Sequence, residues 1–322
     1  MSPHQQGSSA HEVVLRAGEA RLEVAFFGAT VLRWLVPHDG ELVDLVDGYR
    51  DAEEMRSQDG VRNGVMAPFC NRVSDARYVF DGVHHDLLPG SADRTIYHGL
   101  VRTEPFSLAR LDQTDEMAVA VLRCGALAGG TAPGYPFEVD VEVEYRLGPT
   151  TLDVAITGTN VGAEVAPFAS GWHPYFRLPG ADDVDRLHLD VPATMAVRTD
   201  DRLLPLAAGR AFVAQDAVRW RPVGGAVVDA AFGGLQRVHG RASTTLTDPA
   251  TGAGLVLHQD EGLVHVFTGD TLARGRRAAV AIEPVEAMTD AFNRPDCAEA
   301  IRLAPGEARS FRFSVGAHGL RR

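Results

Sequence analysis

The chain predicts an all-β fold: one large antiparallel domain made of two or more packed sheets. Three observations carry this. Residues 137–147, FEVDVEVEYRL, alternate apolar and polar side chains without a break, the period of a half-buried strand. Turn residues (Gly, Pro, Asp) separate further strand-length runs along the whole chain. No stretch sustains the 3.6-residue period of an amphipathic helix.

Taken in order, residues 12–36 read as a meander of short strands. DAEEMRSQ, residues 51–58, is the one short helix expected, with acidic residues at its start. RYVFDGVHHDL, residues 77–87, is a hairpin, because Asp81-Gly82 supplies the positive φ of a two-residue turn. In the 137–147 strand, Phe137, Val139, Val141, Val143, Tyr145 and Leu147 share the buried face. Glu138, Asp140, Glu142, Glu144 and Arg146 share the wet one. A Gly-Pro-Thr turn follows, so TLDVAIT, residues 151–157, is its antiparallel partner. Residues 244–259 form a hairpin around a Pro/Gly loop, and SFRFSV, residues 310–315, is a late strand. No repeat and no linker divides the chain, which gives a single domain over 1–322, its first ten polar residues a flexible tail.

Composition narrows the function. The 322 residues carry a net charge of −12, and all 31 basic side chains are arginine. An acidic chain disfavours nucleic acid and anionic membrane as partners and suits a small neutral molecule. The absence of lysine rules out Schiff-base chemistry on a lysine side chain. Three scattered cysteines, Cys70, Cys124 and Cys297, suggest a reducing compartment and no structural zinc. The polar start MSPHQQGSSAHE has no apolar leader, so the expected location is the cytoplasm.

Five segments place polar groups where strand logic does not need them. Asn71-Arg72 precedes the first clear hairpin; an arginine there is either merely exposed or a donor to ligand hydroxyls. His98-Gly99 reads first as a turn, although the glycine lets backbone pass close to a ligand. GWHPYF, residues 171–176, wedges His173 between Trp172 and Pro174, ahead of Tyr175, as either an aromatic-covered corner or a site. Asp229 interrupts an apolar stretch as a turn residue or a ligand contact. Glu283 ends the apolar run AAVAI; a carboxylate there is costly without a partner or a task. Glu286 and Asp290 follow it and are expected to face water.

The order Asn-Arg, His-Gly, His-Pro-Tyr-Phe, Asp-x-x-Phe, Glu-Pro resembles the aldose 1-epimerase (mutarotase) family over most of the chain. The carrying pieces are NRVSDARYVFDG, YHGLVR, HPYFRL, VVDAAF and IEP. VVDAAF is the loosest of them, and APFCNR stands where the family has a Gly-Arg-x-x-Asn-Arg run. The resemblance implies a large antiparallel β-supersandwich, Glu283 as general base and His173 as general acid. It implies Arg72, His98 and Asp229 as holders of sugar hydroxyls. Asn71 beside Arg72 is a further candidate contact, and Trp172, whose place before the histidine departs from the family, or Tyr175 is expected to line the sugar's apolar face. It implies a free aldose as the small-molecule partner, and neither metal nor organic cofactor.

The residue types suit that chemistry. A buried glutamate gains basicity over its usual ~4.3, and an imidazole near ~6.5 is expected to be held protonated by a nearby carboxylate. Each positioned proton transfer contributes roughly 10²–10⁴-fold. The competing readings are a glycoside hydrolase using Glu283 and Asp229, a non-catalytic sugar-binding protein, and a metal site of His98, His173 and Glu283. A further one is a hexose-phosphate epimerase, which needs a cationic pocket built from residues such as Arg77, Arg102 or Arg177.

Overall fold

The computed structural model describes residues 11–216 and 218–321; the expected flexible tail over residues 1–10 lies outside the described residues. Two large sheets dominate. A nine-stranded sheet runs, edge to edge, through Val218–Trp220, His188–Val191, Ala242–Thr247, Gly254–Gln259, Ala308–His318, Thr151–Asn160, Val139–Leu147, Ala118–Cys124 and Ser107–Gln113. The other large sheet runs through Phe212–Ala214, Ala193–Val197, Asp229–Leu235, Leu263–Phe267, Val280–Val285, Gly171–Trp172 and Val65–Met66, with Tyr175–Phe176 also paired to Val280–Val285. A meander of four strands, Glu12–Ala17, Ala20–Ala25, Val31–His38 and Glu41–Asp44, forms a third sheet.

The sequence pattern explains these elements. Val139, Val141, Val143, Tyr145 and Leu147 are wholly buried, and their strand pairs antiparallel with Thr151–Asn160, Val143 facing Ile156. Asp140 departs from the expected wet face: it is 8% exposed because Arg123 from the neighbouring strand lies over it in an ion pair. The Tyr145 hydroxyl donates to Ala29 O at 2.6 Å, which fastens the nine-stranded sheet to the meander. The predicted hairpins form as Arg77–Phe80 with Val83–Asp86 and as Ala242–Thr247 with Gly254–Gln259. The short helix spans Ala52–Ser57, its first amides accepted by the Asp51 side chain. One continuous apolar core reaches from Val13 to Val315 and joins all three sheets.

Candidate active site

Three adjacent strands of the second large sheet carry the polar centre. His265, on Leu263–Phe267, lies directly opposite Glu283 on Val280–Val285. Asp229, on Asp229–Leu235, sits two residues from the partner of His265 and so shares its face. His265 Nε2 is 2.7 Å from Asp229 Oδ1.

The fourth contributor comes from a break in the ladder. Gly171–Trp172 and Tyr175–Phe176 pair with the two ends of the Val280–Val285 strand, leaving His173-Pro174 beside Glu283-Pro284. Neither proline has an amide hydrogen for the ladder; Ile282 N still donates to Pro174 O at 3.2 Å, and His173 and Glu283 both line the cavity. His173 Nε2 lies 3.4 Å from Glu283 Oε1, both groups buried. Three strands crowd at Gly171, where a Cβ would sit 2.9 Å from both Pro284 O and Met66 Cε.

The remaining wall is a pair of turns. His98 N donates to Asn71 O at 2.8 Å, and both residues adopt the left-handed conformation, at φ 60° and 53°. Asn and His tolerate that conformation better than most residues. Gly99 follows at φ 74°, and a Cβ there would stand 2.2 Å from Ala67 O. His98 Nδ1 is 2.9 Å from Met66 Sδ; because a thioether only accepts, Nδ1 carries the hydrogen and Nε2 is left as an acceptor. Arg72 donates to Asn71 Oδ1 at 2.9 Å.

These groups enclose a cavity of about 210 Å³, walled by Asn71, Arg72, His98, His173, Tyr175, Asp229, His265 and Glu283. It thus gathers seven of the eight residues singled out in the sequence. Trp172 is the exception and corrects the expectation of it as a sugar-lining aromatic. It is wholly buried, stacks on Phe313 at 5.7 Å and donates its indole hydrogen to Asn63 O at 3.0 Å. Successive residues of a strand face opposite ways, so Trp172 enters the core as His173 enters the cavity. Tyr175 does line the cavity: its ring stacks on His173 at 5.1 Å and its hydroxyl donates to Gly60 O at 2.9 Å.

The electrostatics divide the three histidines. Burial pushes His173 down to about 3, with the His265 charge adding to the effect. The expected protonated His173 is therefore corrected to a neutral one, held so by its burial, and its Nδ1 is buried without a partner. His98 is likewise held well below the imidazole range by burial and by its cationic neighbours. His265 goes the other way: burial opposes its charge, but Glu283 and the Asp229 hydrogen bond outweigh it and raise its pKa. Asp229 is lowered, since the His265 bond and charge overcome its burial. Glu283 is raised to about 7, first by burial, with Asp229 adding and His265 and Arg72 opposing; its Oε2 has no partner.

Two residues at the site escaped the sequence reading. His265 lies in LVHVF, where its apolar neighbours give no cue; only the register against Glu283 reveals it. Asn63 is the clamp under HPYF: its amide donates to His173 O at 2.9 Å and its Oδ1 accepts from Tyr175 N at 2.9 Å. Glu286 and Asp290, expected in water, are half-buried clasps. Glu286 accepts from Ser170 N and pairs with Arg309, and Asp290 accepts from Ser74 N.

The donor atoms of His98, His173 and Glu283 lie within 4.8 Å of one another, close enough to surround one divalent ion. Of the arginines considered for a phosphate, Arg77 pairs with Asp86 and Arg177 with Asp44. Arg102 donates to neutral acceptors, Gln58 Oε1 at 3.0 Å and Tyr97 O at 3.4 Å, and lines a cavity of about 670 Å³ that shares Tyr97 with the site. Among the described residues no helix is long and apolar enough to cross a membrane.

Residues 11–316 match the family described as Aldose 1-epimerase. The Escherichia coli (strain K12) protein YihR is 23% identical over 286 residues, 88% of this chain and 83% of its own. The aldose 1-epimerase of Escherichia coli (strain K12) is 25% identical over 184 residues, which cover 56% of this chain and 51% of that enzyme. Among solved structures, the GalM/aldose epimerase homologue from C. elegans superposes with a TM-score of 0.79 at 18% identity, covering 96% of this chain and all of that one. Galactose 1-epimerase from Lactobacillus acidophilus gives 0.77 at 17% identity, covering 98% and 97%.

Proposed function

The chain belongs to the aldose 1-epimerase family and has its galactose mutarotase-like fold, and we propose that it interconverts the α and β anomers of a free aldose by opening and closing the sugar ring. The observation that carries this reading is the Glu283–His173 pair, 3.4 Å apart on the wall of a cavity of about 210 Å³. The C1 hydroxyl oxygen and the ring oxygen are both bonded to C1. Two proton-transfer groups this close reach both.

In the proposed reaction Glu283 takes the proton of the C1 hydroxyl while His173 gives one to the ring oxygen. The C1–O5 bond breaks and C1 becomes an aldehyde carbon. Rotation about C1–C2 presents its other face, and closure reverses both transfers. Arg72, the bare Nε2 of His98 and Asp229 hold the remaining hydroxyls, and Tyr175 offers an apolar ring face beside His173.

Proton inventory matters here. Glu283 at about 7 and His173 at about 3 mean the pair carries one proton between those values. The reaction needs that proton on the imidazole and the carboxylate bare, a minor arrangement of the same one-proton state. Sugar hydroxyls donating to the unpartnered Glu283 Oε2 favour it. The active form therefore loses its proton as pH rises through about 7, and kcat/KM falls there.

Polarimetry on freshly dissolved α-D-glucose and α-D-galactose tests the proposal. The protein should speed relaxation to an unchanged final rotation, and Glu283→Gln should lose at least roughly 10²-fold in rate while still binding sugar. No acceleration with any free aldose would sink it. Acceleration confined to a phosphorylated sugar would instead favour the hexose-phosphate reading, with Arg102 as the cation.

A further inference from the structure

His265 was not anticipated, yet it stands between the two carboxylates of the site. It stands on the middle of three adjacent strands, hydrogen-bonded to Asp229 on one side and directly opposite Glu283 on the other. Cα atoms of residues paired this way lie about 4.5–5.5 Å apart, so its ring and the Glu283 carboxylate cannot avoid one another electrostatically. It is 8% exposed, so water does little to screen the interaction.

We propose that His265 is the positioning residue of this site: its bond to one Asp229 oxygen leaves the other aimed at a substrate hydroxyl, and its charge stands beside Glu283 to keep the carboxylate available. This rests on the anomer-interconversion reading and deepens it.

The neighbours of His265 make the assignment specific. From the strand on one side it meets Asp229; from the strand on the other, Glu283; from the ladder break beyond that strand, His173; and from the pair of turns, Arg72 and His98. Two carboxylates favour its protonation, and Arg72 opposes it. His173 and His98 are neutral, so they neither compete for its role nor repel it strongly. Without His265, Asp229 and Glu283 would be two carboxylates in one small cavity with only Arg72 to balance them. Each would then be harder to ionise. His265 also lowers His173, so both groups of the catalytic pair respond to it in the same direction.

The sign of the expected change follows. Removing the His265 charge raises the affinity of both Glu283 and His173 for protons, so the whole kcat/KM profile moves to higher pH. A packing defect would lower the profile without moving it.

The experiment has two arms on the full chain. In the first, the imidazole Cε1–H resonances are titrated by two-dimensional NMR. There are twelve histidines, and the peak missing in His265→Gln identifies His265, with His265→Asn as the substitute should the glutamine variant not fold. The expected midpoint lies above the ~6.5 of a free imidazole, and Asp229→Asn lowers it. A midpoint below that value, or one indifferent to Asp229→Asn, overturns the proposal. This arm needs no turnover, so it stands even if no aldose is a substrate and the functional reading fails.

In the second arm, kcat and KM are measured against pH. His265→Gln keeps a donor for Asp229 and should hold KM near wild type while shifting the profile upward by roughly half a unit or more. His265→Ala should give the same shift and also raise KM about fivefold, the loss of one oriented hydrogen bond. An unshifted profile in both variants overturns the proposal.

Discussion

At the scale of single residues, the site keeps a group that the fold would rather not have. Glu283 is 1% exposed with one oxygen unpartnered, and burial raises it to about 7 from the ordinary 4.5. A carboxyl raised by folding gives its stability while protonated. That contribution is fully present below the unfolded value and is lost as pH climbs through the folded one. Glu283→Gln has nearly the same shape and no charge to desolvate. It should therefore melt several degrees above wild type at pH 8, worth on the order of 2–3 kcal/mol, and the gap should close toward pH 5. Calorimetry at the two pH values checks this, and equal melting temperatures at pH 8 would refute it. Part of the cavity's lining was legible: Glu283 stands out as a carboxylate at the end of an apolar run, whereas Arg72 and His98 read equally well as exposed or turn residues until the order of the five segments is compared with a family. The protonation of His173 was not legible, because it depends on depth of burial and on a third histidine far along the chain.

At the scale of elements, strands were readable and their neighbours were not. Period-two runs located the 137–147 strand and its partner. Nothing in a local pattern says that Leu263–Phe267 lies between Asp229–Leu235 and Val280–Val285, so LVHVF carries no cue to His265. Trp172 was misplaced for a related reason: an aromatic beside a site histidine invites a binding role, yet strand alternation sends it to the opposite face. The turns of the second wall are equally exacting. Gly99 is the element's hinge point, with φ 74° and no room for a Cβ against Ala67 O. Gly99→Ala should push the 97–99 turn away from the 67–72 segment, destabilise the protein by roughly 2 kcal/mol or more and weaken sugar binding by displacing His98. Chemical denaturation together with sugar titration measures both, and a variant as stable as wild type would contradict the close approach described.

At the scale of the whole molecule, one core links everything. The same apolar cluster holds Val13 and Leu15 of the meander, Tyr145 and Phe311 of the nine-stranded sheet, and Trp172, Val264 and Ile282 of the sheet that carries the site. The single domain over 1–322 read from the sequence is on this ground the expected folding unit. Urea unfolding followed by tryptophan fluorescence and by far-ultraviolet circular dichroism should give one coincident transition. Two separated transitions would mean that the meander or one of the large sheets unfolds by itself.

Gly99 and the buried carboxylate Glu283 would drift differently among descendants of this chain. Gly99 is restricted by backbone geometry before any chemistry is asked of it, with φ 74° and no room for a Cβ, so a lineage with no use for a sugar would still be held to that glycine. Position 283 is under the opposite pressure, since its charge weakens the fold and, on the proposed reaction, its return is catalytic. If the proposed reaction holds, a relative that keeps His-Gly but has replaced the glutamate is the expected fossil of a lost activity, and position 283 is where a working descendant is told from a retired one.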